Sequence, residues 1–181
     1  MKDDHIKQFV HTFLKSHVTK ADTIIDATVG NGYDTLLLSE LALQVIGFDI
    51  QQQAIDLTEQ RLQSSNANNV TLIHDSFETI SNYKGYKGVV FNLGFLPCGD
   101  KSITTLADIT LRTVQSIASQ MQMNDFILLT AYPGHPEGHK EANYLSEYIK
   151  TLDSSFIAIT YQIQNRLNAP FVISIEKIKN C

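Results

Sequence analysis

Little in this chain belongs to the disulfide-held, secreted or membrane classes. Its 181 residues hold two cysteines, Cys98 and Cys181, too few for a disulfide framework or a metal-ligand set. Nothing beside Cys98 pairs it with a histidine as a thiol nucleophile is paired, so it reads as a small loop residue. No apolar run approaches the ~20 residues that cross a bilayer, and the opening MKDDHIKQF lacks a signal-peptide core. The expectation is a cytoplasmic protein with no membrane partner. A basic excess is missing too. The net charge of −5 argues against extended binding along a nucleic-acid backbone. A small RNA footprint needs only a local patch, and Lys84, Lys87, Lys101, Lys140 and Arg166 fall in or near loops. Internal repeats, low-complexity stretches and long linkers are also absent.

What is present is a 43% apolar chain, enough for a sizeable core and read as one domain over residues 1–181. Ile6, Phe9, Val10, Phe13 and Leu14 recur at helical spacing over Asp4 to His17, which makes residues 1–20 a helical brace or lid. Strand and helix then alternate. Strands run to Asp26 and Asp49, from Val70 to His74, Gly88 to Leu93 and Asp125 to Ala131; helices are expected from Tyr33 to Leu43, Gln51 to Ser64, Thr105 to Met121 and Lys140 to Leu152. Two β-rich runs, Phe156 to Gln164 and Pro170 to Lys177, lie close enough to form an antiparallel pair at a sheet edge. The sum is an α/β fold with about seven strands, the first five parallel, with crossover helices. Such a sheet binds its ligand at the carboxyl ends of its strands, where strand order reverses.

The loop DATVGNGYDT, Asp26 to Thr35, sits at one such end. Gly30 and Gly32 permit the sharp turn from strand to helix, and the helix start offers free N–H groups to a carboxylate or phosphate. A dinucleotide fingerprint wants G-x-G-x-x-G, but the third position here is Thr35. Asp26 and Asp34 would repel a pyrophosphate and suit an amino group. The loop, with Asn31 between its glycines, therefore favours S-adenosylmethionine over NAD. Asp49 ends the second strand at the spacing where a carboxylate meets a ribose diol, with Gln51 beside it; it also suits a helix cap. His74, Asp75 and Ser76 follow the third strand, where Asp75 is placed to accept from an adenine amino group; the tripeptide also reads as a turn with an N-cap.

Three later segments carry the reaction. FNLGFLP, Phe91 to Pro97, puts Asn92 at a strand end ahead of Leu93, Gly94, Phe95, Leu96 and Pro97. Its amide both donates and accepts, and the loop is an analogue, not a match, of the Asn/Asp-Pro-Pro-aromatic loop that aligns the nucleophilic nitrogen in amino-methyltransferases. YPGHPEGH, Tyr132 to His139, has two histidines four apart. Pro136 and Gly138 oppose the continuous helix that an H-E-x-x-H metal pair needs, so no metal is expected. Instead Gly134, His135 or His139 faces a base, a phosphate or the reacting amine. Arg166 lies in the last turn, either clamping a phosphate or exposed to solvent. Asn92 and the loop after it would orient an amine, with Asp100, Tyr132 or His135 taking its proton. Phe95 or Tyr132 is available to stack on a base, and Lys101 adds a nearby positive charge.

DATVGNGYDT, FNLGFLPCGDKS, AYPGHPEGHKEA and NRLNAPFVISIEK, in that order along the chain, give it a resemblance to the MnmM/YtqB family, formerly labelled rRNA methylases. Cys98 stands where the pattern has a glycine. The resemblance implies a Rossmann-like class I S-adenosylmethionine-dependent methyltransferase: a mostly parallel seven-stranded sheet, an antiparallel C-terminal hairpin and helices on both faces. It further implies methylation of the amino nitrogen of 5-aminomethyl-2-thiouridine at the tRNA wobble position, with the tRNA anticodon stem-loop as partner. A homodimer is left open. The competing readings are a methyltransferase of rRNA or of a small-molecule amine, an NAD-dependent oxidoreductase and a non-catalytic nucleotide-binding module.

Overall fold

Strand and helix alternate as the apolar pattern requires. The computed structural model describes residues 5–94 and 106–179. In chain order these form α1 (His5–His17), β1 (Thr23–Asp26), α2 (Tyr33–Leu41), β2 (Gln44–Asp49), α3 (Gln52–Ser64), β3 (Val70–His74), a 3-10 helix (Phe77–Asn82), β4 (Gly88–Asn92), α4 (Ala107–Gln120), β5 (Phe126–Ala131), α5 (Pro136–Ile149), β6 (Phe156–Gln162) and β7 (Phe171–Lys177). No described helix is long and apolar enough to cross a membrane.

The strands make one sheet in the order β3-β2-β1-β4-β5-β7-β6. The first five are parallel, and β7 inserts antiparallel between β5 and the edge strand β6. Strand order reverses between β1 and β4, so the loops after these two strands diverge and open a crevice. β5 is buried along its whole length, as a strand covered on both faces must be.

Two cores occupy the two faces. On one, Ile6, Val10, Phe13 and Leu14 of α1 join Leu38 of α2 and the sheet residues Ile24, Val90, Phe126, Leu128 and Val172. On the other, Val114, Ile117 and Leu145 of α4 and α5 cover Ile25, Val89, Phe91, Ile127 and Ile173. Phe9 stacks on Tyr161 of the edge strand, so α1 packs across the sheet.

Two local outcomes differ from the sequence pattern. The segment after Ser76 forms a 3-10 helix, with the Ser76 hydroxyl accepting from the Glu78 N–H. And α5 starts at Pro136 instead of Lys140. Proline is tolerated in the first helical turn, where its missing N–H has no partner to lose. Gly138 is then required inside the turn: a Cβ there would meet the Tyr132 carbonyl oxygen at 2.2 Å. The early start also lets Glu137 accept from the Ala107 N–H and Glu141 from the Thr110 hydroxyl, which fixes the N-terminus of α4 against α5.

Gly88 of β4 lies under the ring of Phe126 on the adjacent strand, where an added Cβ would stand 2.2 Å from the ring tip. Phe126 is itself held edge-on by Phe13. Gly88→Ala is therefore expected to lower unfolding free energy by about 1–3 kcal/mol in urea titrations. A loss within experimental error of zero would show that Phe126 yields freely.

Candidate active site

The glycine loop is built around a buried carboxylate. Asp26 ends β1 only 1% exposed. Its Oδ1 accepts from the Thr28 N–H at 3.2 Å, and its Oδ2 from the Thr35 hydroxyl at 2.7 Å. Gly30 and Gly32 take φ of 51° and 74°, the left-handed region that glycine enters without strain. Gly32 also has no room for a side chain, because Thr58 would meet its Cβ at 2.8 Å. With no side-chain cap on α2, its first N–H groups are left for a ligand.

Neighbouring elements pin this loop from outside. Asp49 at the end of β2 accepts from the Gly30 N–H through Oδ2 and from the Gln51 N–H through Oδ1. Each carboxylate oxygen keeps a further lone pair for a ligand hydroxyl. Burial raises the Asp49 carboxyl above its ordinary range, and those two N–H groups oppose the rise. From α3, the Thr58 hydroxyl donates to the Gly30 carbonyl and Arg61 Nε to the Asn31 carbonyl. Arg61 also lies over the Tyr33 ring, 3.6 Å from its centroid.

Asn92 at the end of β4 is held twice. Its backbone N–H donates to the Thr28 hydroxyl at 2.7 Å, and its side-chain Nδ2 to Asp34 Oδ2 at 3.2 Å. An ionised carboxylate only accepts, so Asp34 takes the NH₂ end of the amide and turns the amide oxygen away from itself. His135, the residue before α5, accepts the Gly138 N–H on Nδ1. Its basic nitrogen is thus committed to capping a helix.

These strand ends enclose a cavity of about 630 Å³, within the usual range for ligand pockets. Of the expected cofactor residues, Gly30, Asn31, Asp34, Asp49, Gln51, Asp75, Ser76, Asn92, Leu93 and Gly94 line it; so do Tyr132, Gly134 and His135 of the loop after β5. Asp26, Gly32, Thr35 and His74 lie outside the lining: the first three are buried beneath the loop, and His74 Nε2 bonds the Ile50 carbonyl. His139 is exposed beside Asn143, and Arg166 is exposed away from the cavity. Phe95, Leu96, Pro97, Cys98, Asp100 and Lys101 fall outside the described residues.

The lining also contains residues that sequence reasoning missed. Tyr33, Ile50, Phe77, Leu106, Ile109, Asn168 and Pro170 contribute to it. Ile50 had a signal: an apolar residue directly after a strand-end acid, 53% exposed in the fold. Asn168 and Pro170 come from the turn before β7; they stand in the NRLNAPF block, but only the insertion of β7 beside β5 carries that turn to the crevice.

Residues 45–176 match the family model described as "Putative rRNA methylase". The chain belongs to this rRNA methylase family. Similar proteins cover nearly all of it. The tRNA (mnm(5)s(2)U34)-methyltransferase, chloroplastic, of Arabidopsis thaliana is 31% identical over 190 residues, spanning 96% of this chain and 69% of that protein. The crystal structure of a putative rRNA-methylase from Clostridium thermocellum superposes with a TM-score of 0.91 at 34% identity, covering 98% of this chain and all of that one. SMU.1697c, a putative methyltransferase from Streptococcus mutans solved in complex with SAH, gives 0.88 at 33% identity over 97% of this chain and 99% of its own. The chain thus has the class I methyltransferase fold.

Burial pushes the Asp26 carboxyl up to about 7; the Thr35 and Thr28 bonds oppose the rise, and the charges of Asp34 and Asp49 add to it. Between the ordinary value of 3.8 and about 7 the folded chain holds a proton that the unfolded chain has released. Stability contributed by this group therefore falls as pH rises through that window and levels off above it. In Asp26→Asn the amide keeps both bonds, since the Thr35 hydroxyl can reverse and accept. Urea unfolding from about pH 4 to about pH 8 is expected to show a decline on the order of a few kcal/mol in the wild type that is missing from this variant. Parallel curves would count against the assignment.

Proposed function

We propose that this chain transfers the methyl group of S-adenosylmethionine to the amino nitrogen of 5-aminomethyl-2-thiouridine at the wobble position of tRNA, giving 5-methylaminomethyl-2-thiouridine. The observation that carries the reading is the Asn92 amide, fixed on the cavity wall with its oxygen turned from Asp34. The Arabidopsis relative supplies the substrate by its name, and the SAH-bound Streptococcus structure supports the cofactor. The reading takes residues 1–181 as one cytoplasmic catalytic domain.

In this reading the glycine loop side of the cavity would hold the cofactor: the open start of α2 its carboxylate, Asp49 its ribose diol and Asp75 its adenine amino group, with Ile50 and Phe77 as apolar lining residues. The sulfonium already activates the methyl group, so the protein contributes alignment and exclusion of water and needs no metal. Asn92 Oδ1 accepts an N–H of the amine and directs its lone pair at the methyl carbon. Tyr132, 37% exposed at the rim, stacks on the base drawn out of the anticodon loop. His139 and Arg166 meet the RNA outside the cavity.

Asn92→Ala is expected to lower kcat with saturating cofactor by about 100-fold or more while SAH affinity stays within about threefold, because alignment is lost and binding is not. Near-wild-type turnover would remove Asn92 from this role. On the protein itself, SAH is expected to raise the melting temperature and NADH to leave it unchanged. Nucleoside mass spectrometry of tRNA from cells lacking the protein should show the unmethylated aminomethyl nucleoside accumulating. An unchanged tRNA profile with altered rRNA would instead favour an rRNA substrate.

A further inference from the structure

An alkylamine is protonated near neutral pH, and its nitrogen has no lone pair for a methyl group until that proton leaves. The acceptor must therefore reach the nitrogen that Asn92 orients and must pass the proton outward. His135 is poorly placed for this, since its Nδ1 is occupied by the Gly138 N–H. Asp34 meets both requirements. It lines the cavity, and its Oδ2 holds the Asn92 amide at 3.2 Å. Its other oxygen, Oδ1, faces His11 Nε2 of α1 at 3.9 Å, and the two side chains are 21% and 32% exposed. A row of three groups thus runs from the cavity wall through a carboxylate to an imidazole that solvent reaches.

We propose that Asp34 is the base that deprotonates the substrate ammonium and that His11, contributed by the N-terminal helix, is a positioning residue that holds Asp34 and conducts the proton to water. This rests on the aminomethyl substrate proposed above. The step balances as follows. One N–H proton passes to the Asp34 carboxylate. The freed lone pair forms the C–N bond to the methyl carbon as the S–CH₃ bond breaks, its electron pair remaining on sulfur to give a neutral thioether. The product leaves as a secondary ammonium, and the proton on Asp34 exits through His11 Nε2. The charged or polar groups around Asp34 are His11 from α1, Asn92 from β4 and the carboxyl of Asp26 at the end of β1.

The test measures kcat at saturating S-adenosylmethionine and aminomethyl-tRNA for the wild type, Asp34→Asn and His11→Gln, from about pH 6 to about pH 9.5, where the free amine begins to deprotonate unaided. SAH affinity of each variant, by calorimetry, serves as the control for folding and cofactor binding. Asp34→Asn is expected to fall about 100-fold at pH 7 and to recover steeply with rising pH, with SAH affinity within about threefold of wild type. His11→Gln should show the same pattern at about a tenth of that amplitude. A variant profile parallel to wild type at every pH overturns the proposal, as does a weakened SAH affinity with kcat retained, which would place Asp34 on the cofactor's ammonium. A wild type that methylates no aminomethyl-tRNA overturns the substrate reading itself, and that result appears before any variant is made.

Discussion

One buried carboxylate organises the site. Asp26 is cut off from water at the end of β1, so its own loop must satisfy it, and the two groups that do so each lead to Asn92. The Thr28 N–H bonds Asp26, and the Thr28 hydroxyl accepts the Asn92 backbone N–H. The Thr35 hydroxyl bonds the other oxygen in the first turn of α2, and its neighbour Asp34 accepts from the Asn92 side chain. The two paths form a ring that fixes Asn92 at both main chain and amide. Burying an acid this way weakens the fold above neutral pH, yet it fixes Asn92 on the cavity wall through bonds made within the protein itself.

The parts of the site that were legible in the sequence are the parts whose cause is local. Two glycines after an apolar run can hardly do anything but turn the chain, and a polar residue at or just after the carboxyl end of a parallel strand stands beside the crevice. Asp49, Asp75 and Asn92 line the cavity for that reason. Asp26 also stands at a strand end, but its side chain turns under the loop, because Thr28 and Thr35 supply the bonds that an open position would leave to a ligand. Pattern alone does not separate these two outcomes.

Illegible parts depend on contacts distant in the chain. The Pro-Glu-Gly run reads as a helix breaker, and becomes a helix start because Pro136 loses no bond there, His135 caps it, and Gly138 alone fits under Tyr132. Asn168 and Pro170 enter the lining only because β7 threads between β5 and β6. His11 belongs to an amphipathic helix whose apolar face was plain; nothing in that face tells which polar residue will meet the loop after β1. The glycine-loop wall of the cavity is thus written in a short motif, and the wall beside β7 in topology.

The position of α1 has a consequence for the order in which the chain becomes competent. Its apolar face docks on Phe126, Leu128 and Val172, its Phe9 on Tyr161, and its His17 Nε2 stands 3.3 Å from Glu176. That surface does not exist until β7 has joined the sheet. A ribosome making this protein releases α1 before β7, so the docking surface of the helix that carries His11 is complete only once β7 has joined.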